Sequence, residues 1–342
     1  MTKAYTEVLR MIGKGITVAG SLIADNYYLI DSYPDQGKLT NIRATDRAVG
    51  GTGNLILDLA KLDANLPVKV SAIIGEDSNG EFIKETLSEY PNIILQNVVE
   101  NGETSMTMVM DAQDNHQRTF FYLPAASDAY DEDAIDWEQV SADIFHLEYI
   151  LLMKKIDEPD AEYGTHGAKI LHRARELGMK TSIDMVSETS GRGGDIVKAA
   201  LKYTDYCTIN EIEAEMITGI KILKDGKIKE ENVYLALKEL VKCGVTTWAI
   251  IHSPSCGYGI DCKTKEMTKV TSLRLPEGYI KGSTGAGDAY CSGILYGAYK
   301  KKSLQESMKL GTACAACSLS ETSGTAGLRP YEQVLKLYEL YK

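Results

Sequence analysis

The chain has 342 residues, 44% hydrophobic and 25% charged, and carries a formal net charge of −11 at neutral pH. That acidity argues against nucleic acid or an anionic membrane as the main partner, since both are polyanions. Seven cysteines without a framework spacing argue against a small disulfide-stapled secreted fold and point to a reducing cytoplasm. No apolar run approaches the ~18 residues of a membrane span, and Met1 to Lys14 mixes charge where a signal peptide would be apolar.

Ile16-Thr17-Val18-Ala19-Gly20 reads as a short buried strand ending in a glycine turn. Residues 25–47 hold two β-rich pieces, Tyr27 to Ile30 and Leu39 to Arg43, around Tyr33-Pro34-Asp35-Gln36-Gly37, a hairpin pattern rather than a crossover helix. After Gly50-Gly51-Thr52-Gly53-Asn54, apolar residues at 55, 56, 59 and 62 announce a helix. A strand over Val68 to Ile74, a helix from Ser78 to about Glu89 and a strand over Ile93 to Val98 follow. A second hairpin is expected from Thr104 to Met110 and Arg118 to Tyr122.

From there strands near 144–146, 180–184, 206–209 and 246–251 alternate with helices near 160–177, 193–201, 211–218 and 230–242, which predicts a parallel sheet with helices on both faces. The two hairpins interrupt that rhythm and are placed to pair with each other as a flap. Neither repeats nor Pro/Ser linkers divide the chain, so one domain over 1–342 is expected, with insertions at about 25–48 and 103–123. Cys314 and Cys317 form a C-x-x-C without a second Cys or His pair at zinc spacing, in a run of small apolar residues that reads as helix packing.

The chemistry gathers near the C-terminus. Lys281-Gly282-Ser283-Thr284-Gly285-Ala286-Gly287-Asp288 precedes a helix over 289–299 in which Gly293 and Gly297 allow close packing. A glycine-rich turn opening a helix exposes N–H groups at the positive end of the helix dipole, where a phosphate can approach. A carboxylate there would repel a simple anion. It suits a base that takes a proton from an attacking hydroxyl while the N–H groups hold charge on a phosphoryl group. The other reading is that Asp288 caps its own helix, and spacing leaves both open. The turn is neither a Walker A loop nor G-x-G-x-x-G, because Tyr290 holds the third glycine position.

With these motifs the chain resembles the PfkB/ribokinase family of carbohydrate kinases over roughly residues 16–330. Gly282 to Asp288 with Ser292-Gly293-Ile294-Leu295 is similar to the family's C-terminal signature, and Asn210-Glu211-Ile212-Glu213-Ala214 to its N-x-x-E motif. Gly20 to Asp25 matches the opening strand, Gly50 to Asn54 the N-terminal glycine signature, and Gly75-Glu76-Asp77 with Gly80 the G-x-D-x-x-G turn. Gly282 and Ser283 depart from the residues usual before the glycines, Thr52 from the smaller residue usual there, and Ile251 to Gly257 lacks the usual T-x-G.

The resemblance implies a three-layer α/β/α, ribokinase-like fold with a mostly parallel sheet and a small β-sheet lid built from the two hairpins. It implies an ATP-dependent kinase acting on a sugar hydroxyl, with Asp288 as base and Gly285, Ala286 and Gly287 as the anion hole. Asp25, Gly50, Gly51 and Asn54 would bind the acceptor. Asn210 and Glu213 would organise Mg²⁺ and the nucleotide phosphates, Glu213 through water. The family also brings an expectation of K⁺ activation and, in several members, a homodimer through the lid. Arg118, on the second hairpin, reads by default as a solvated charge, the alternative being contact with a substrate oxygen or phosphate, and His146 reads as a hydrogen-bonded structural histidine at a strand's carboxyl end.

Nucleoside kinases and sugar-phosphate kinases of the same family compete with the sugar-kinase reading. The latter would need a basic pocket, for which Arg43, Arg47 and Arg118 are the candidates. A non-catalytic sugar- or nucleotide-binding regulator is the alternative from another class, and the intact base and N-x-x-E pair weigh against it.

Overall fold

Nine strands form the central sheet of the computed structural model, which describes residues 14–342 apart from 116, 189, 190 and 225. The spatial order is Met267–Thr271, Cys256–Asp261, Trp248–His252, Tyr206–Asn210, Lys180–Met185, Ile144–Ile150, Ile16–Gly20, Val68–Ile74, Ile93–Glu100. Every pairing from Trp248–His252 to Ile93–Glu100 is parallel, and the last two strands at the other edge are antiparallel. Two apolar clusters flank the sheet, the expected result when helices cover both faces.

Most expected elements are present, several at the anticipated residues, including Val68–Ile74 and the helices Ser78–Ser88, Gly193–Leu201 and Glu211–Thr218. The antiparallel edge was not anticipated. Glycine ordinarily weakens a strand interior, yet Gly257 and Gly259 both lie in Cys256–Asp261, where helices press against it. A Cβ on Gly257 would fall 2.4 Å from the Tyr290 hydroxyl, and one on Gly259 2.8 Å from Met308 Sδ. The strand Ile144–Ile150 also runs further than expected, so His146 lies mid-strand rather than at its carboxyl end.

The two hairpins pair through Leu22–Ile30 and Met106–Ala112, in parallel, to make a separate four-stranded sheet. Its first return strand is longer than read, Ile42–Gly51, and carries Gly50 and Gly51 up to the start of the helix Thr52–Leu62. Asp77 ties the second hairpin to the body. Its carboxylate caps Ser78–Ser88 through the Asn79 and Gly80 N–H groups and also accepts from the Thr104 N–H at 2.8 Å. Among the described residues no helix is long and apolar enough to cross a membrane.

Candidate functional site

Gly285 opens the helix Ala286–Tyr299 in a left-handed conformation, φ 76°, and a Cβ there would meet the Gly324 backbone at 2.6 Å. Only glycine makes this turn, so the loop fixes where the first helical residues point. Gly293 and Gly297 then let the helix Leu304–Ser318 approach within contact of the backbone, with Gly311 Cα and Ser307 opposite them. Asp288 sits in the first turn. Among the described residues its carboxylate does not cap its own helix; it reaches sideways to two other elements.

Asp288 Oδ1 accepts from the Tyr149 hydroxyl at 2.6 Å, and Oδ2 accepts from Asn54 Nδ2 at 3.0 Å. Burial pushes the Asp288 carboxyl up to about 6, and those two bonds hold it from rising further. Asp25, on the small sheet, is pushed to about 6 by burial, eased by a bond from Thr107 and raised again by the charge of Asp288. Gly50 exists for Asp25: a Cβ on it would lie 2.1 Å from Asp25 Oδ2. Asp25, Gly50, Asn54 and Asp288 therefore converge, while Gly51 turns at φ 60° beneath Ile23.

The helix Glu211–Thr218 begins with the N-x-x-E motif, which forms a complete capping box. Asn210 Oδ1 accepts from the Ile212 and Glu213 N–H groups, each at 2.9 Å, and Glu213 Oε2 accepts from the Asn210 N–H at 2.9 Å. Ser187 donates to Glu213 Oε1 at 2.8 Å. Asp184 links this end to the glycine-rich turn. Burial raises its carboxyl well above the usual range, and the charges of Glu213 and then Asp288 add to that.

One large cavity, about 740 Å³, opens on the other side of the glycine-rich turn. Ser283, Ala286 and Gly287 line it together with Asn210, and its far wall is apolar, formed by Leu273, Leu275, Ile280, Ala315 and Leu319. His252 and Tyr290 stack beside it, ring centroids 5.0 Å apart, and burial lowers the imidazole to about 4, so His252 is neutral. The turn thus stands between this cavity and the carboxylates of Asp25 and Asp288.

The chain matches the model of the pfkB family of carbohydrate kinases over residues 14–330. It belongs to that family. It is therefore a carbohydrate kinase, a phosphotransferase with an alcohol group as acceptor. Among curated relatives, Haemophilus influenzae ribokinase is 23% identical over 95% of this chain and 99% of its own length. Arabidopsis thaliana ribokinase is 22% identical, over 94% and 80%. Among solved structures, Arabidopsis ribokinase with ribose and ATP superposes with a TM-score of 0.78 at 21% identity, covering 96% of this chain and 99% of that one. A Methanocaldococcus jannaschii nucleoside kinase gives 0.74 at 16% identity, over 96% and 99%. These likenesses establish the ribokinase-like fold.

One reading from the sequence needs correction. Arg118 is not a solvated charge: it is largely covered, its Nε bonded to Asp111 at 2.9 Å and its Nη1 to Thr284 Oγ1 at 2.9 Å. The Ala286 N–H donates to Ser283 O at 3.3 Å, a long bond that closes the turn. Arg43 and Arg47 build no basic pocket here. Arg43 pairs with Asp31 on the exposed rim, and Arg47 bonds Ser78 O and Asn79 and lies over the Phe82 ring.

Four residues near Asp288 were missed. Tyr149 and Glu148 follow one another at the end of Ile144–Ile150, and Asp184 ends the neighbouring strand. Carboxylate oxygens of Glu148, Asp184 and Asp288 lie within 4.8 Å of one another. Glu148 is fully buried, bonded through Oε2 to His146 Nε2 at 2.9 Å, with Oε1 unpartnered among the described residues. Burial raises its carboxyl, helped by the charges of Asp288, Asp184 and Asp58. Asp58, one helical turn after Asn54, is the fourth. The only signal in the sequence was position, at the carboxyl ends of parallel strands or one turn along a helix from a motif residue.

Proposed function

We propose that the chain transfers the γ-phosphate of ATP to a hydroxyl, a primary one by preference, of a small sugar, with Asp288 as the general base. One observation carries the reading: Asp288 and its turn lie between a nucleotide-sized cavity and a converging set of polar groups that suits a polyol. The apolar far wall and the His252–Tyr290 stack suit a base, and Asn210 and Gly287 line the cavity near the turn, where phosphates would lie. Asp25 and Asn54 supply an acceptor and a donor for vicinal hydroxyls. The Arabidopsis ribokinase complex, with ribose and ATP, supports the same pairing of ligands.

In this reading the acceptor hydroxyl gives its proton to Asp288 as its oxygen attacks the γ-phosphorus, and the bond from that phosphorus to the bridging oxygen breaks to release ADP. N–H groups of Gly285 and Gly287 face the transferring group, and the Ala286 N–H joins them by giving up its long bond to Ser283 O. Asn210 and Glu213 offer hard oxygen donors of the kind Mg²⁺ takes. Because the capping box already uses them, they would hold the ion through water, as the resemblance implies. Mg²⁺ bound with ATP would neutralise phosphate charge. The small sheet serves as a lid that keeps water from the site.

The test is Asp288→Asn, which preserves shape and removes the base. kcat should fall by about 10²–10⁴-fold, the usual contribution of a positioned base, with no loss of thermal stability at neutral pH. ADP release screened against pentoses, ketohexoses, hexose phosphates and nucleosides identifies the acceptor. Near-normal turnover in the variant would overturn the assignment of the base, and a hexose phosphate as the sole acceptor would overturn the choice of a neutral sugar.

A further inference from the structure

Asp288 is surrounded by acids. Asp25 faces it from the small sheet, Asp58 from the helix Thr52–Leu62, Glu148 from the strand Ile144–Ile150, Asp184 from the strand Lys180–Met185 and the Cys291 thiol from its own helix. Lys61 stands behind Asp58. Buried carboxyl groups so close together resist ionisation, and a base must be ionised to act. Something has to favour the charge on Asp288 over its neighbours and hold the carboxylate still.

Two neutral donors do so. Asn54 Nδ2 meets one oxygen at 3.0 Å, and the Tyr149 hydroxyl meets the other at 2.6 Å, the short range expected for an O–H donor on a carboxylate. The donors come from different elements, a helix and a strand, so together they fix both the position and the plane of the carboxylate. Each oxygen keeps lone-pair capacity for an incoming hydroxyl. Burial and the charge of Asp288 raise the phenol well above its ordinary value, so Tyr149 remains a donor across the working pH range.

We propose that Tyr149 is the positioning residue of the transfer reaction, acting through its hydroxyl on Asp288 and not on substrate. The inference rests on the reading of Asp288 as base. Glutamine or serine at 149 would not reach from the same backbone position with a rigid ring behind the donor. Phenylalanine would keep the ring and lose only the bond, which makes it the informative variant.

Tyr149→Phe, Asp288→Asn and the double variant are to be compared by kcat, acceptor KM and the pH profile of kcat/KM, with thermal midpoints as the check on folding. Losing a hydrogen bond to a charged group should lower kcat about tenfold and leave KM within about twofold. The acid limb should move to higher pH, because the bond that favours the ionised base is gone. In the Asp288→Asn background the same change should have almost no effect on kcat. Incorporating 3-fluorotyrosine at position 149, which acidifies the phenol at nearly constant shape, should move the acid limb the other way.

An unchanged kcat and acid limb in Tyr149→Phe, with Asp288→Asn inactive, would overturn this proposal and leave the base intact. A fall in acceptor KM with kcat unchanged would also overturn it, since the hydroxyl would then only occupy the acceptor's place. Full activity in Asp288→Asn would instead sink the reading on which the proposal stands.

Discussion

Arg118, on the last strand of the small sheet, donates to the Thr284 hydroxyl in the glycine-rich turn at 2.9 Å, across 166 positions of sequence. The same guanidinium is bonded to Asp111 on the adjacent strand and lies 5.7 Å from the centre of the Tyr27 ring. The lid is thus fastened directly to the loop assigned to the phosphoryl group. Arg118→Ala should loosen that closure while leaving Asp288 in place. We expect acceptor KM to rise about five- to tenfold, in line with one lost bond of about 1 kcal/mol, and ATP hydrolysis without acceptor to rise relative to transfer. ADP release with and without sugar measures both. An unaltered ratio would mean the contact does not govern closure.

Gly50 offers a sharper separation of binding from stability. The Cβ of Gly50→Ala would fall 2.1 Å from Asp25 Oδ2, the far end of a side chain that can swing away. Folding should suffer little, by under about 1 kcal/mol, because no backbone atom needs to move. Asp25 would no longer point where it does, and misplacing a substrate-positioning group by an ångström can cost about 10²-fold. The expected outcome is a large rise in acceptor KM or fall in kcat/KM at a nearly unchanged thermal midpoint. Gly285→Ala should behave oppositely and destabilise the fold, since its new Cβ meets backbone at 2.6 Å with φ at 76°.

The pH dependence follows from the same carboxylates. Asp25 and Asp288 are both pushed up to about 6, chiefly by burial, and each must be ionised in the proposed reaction. Because they interact, the pair titrates jointly, and log kcat/KM should bend near pH 6 and fall on the acid side with a slope above one. Stability runs the other way. The folded carboxyls bind protons more tightly than the unfolded ones, so their contribution is fully present below about pH 4 and is lost as pH rises through about 6. Asp288→Asn should flatten the fall in stability between pH 4 and 6, which urea denaturation at several pH values can measure.

How much of this was legible beforehand depends on the range of the signal. Local patterns located the hairpins, most helices and the parallel core, and the glycine-rich turn pointed to Asp288 because a turn followed by a helix is encoded by adjacent residues. The pairing of Asp25 with Gly50 was legible only as two motifs of one family. Tyr149, Glu148 and Asp184 carry no local pattern at all. Their relevance arises when neighbouring strands bring their ends together over the turn, a long-range consequence of sheet order. Arg118 was misread for a related reason, since a charge on a hairpin is ordinarily solvated and only closure of the lid onto Thr284 removes it from water. The edge strand Cys256–Asp261 was hidden by glycines that serve packing against Tyr290 and Met308.

Asp58 gives the last test, and it concerns cost rather than catalysis. It is fully buried on the helix Thr52–Leu62, one turn beyond Asn54, and neither carboxylate oxygen has a hydrogen-bond partner among the described residues. Burial raises its carboxyl well above the usual range, the charge of Asp288 adds to that, and Lys61 opposes it. A buried polar group without partners costs about 1–3 kcal/mol. Replacing it with an apolar side chain of similar volume removes that cost and leaves no cavity. Asp58→Leu should therefore stabilise the fold by about 1–3 kcal/mol at neutral pH. The gain should shrink at acid pH: the folded carboxyl is raised, so the wild-type chain recovers stability as Asp58 takes up its proton. Denaturation midpoints at pH 5 and pH 8 give the comparison. A loss of stability at both would show that Asp58 has a structural partner of its own and is retained for the fold rather than in spite of it.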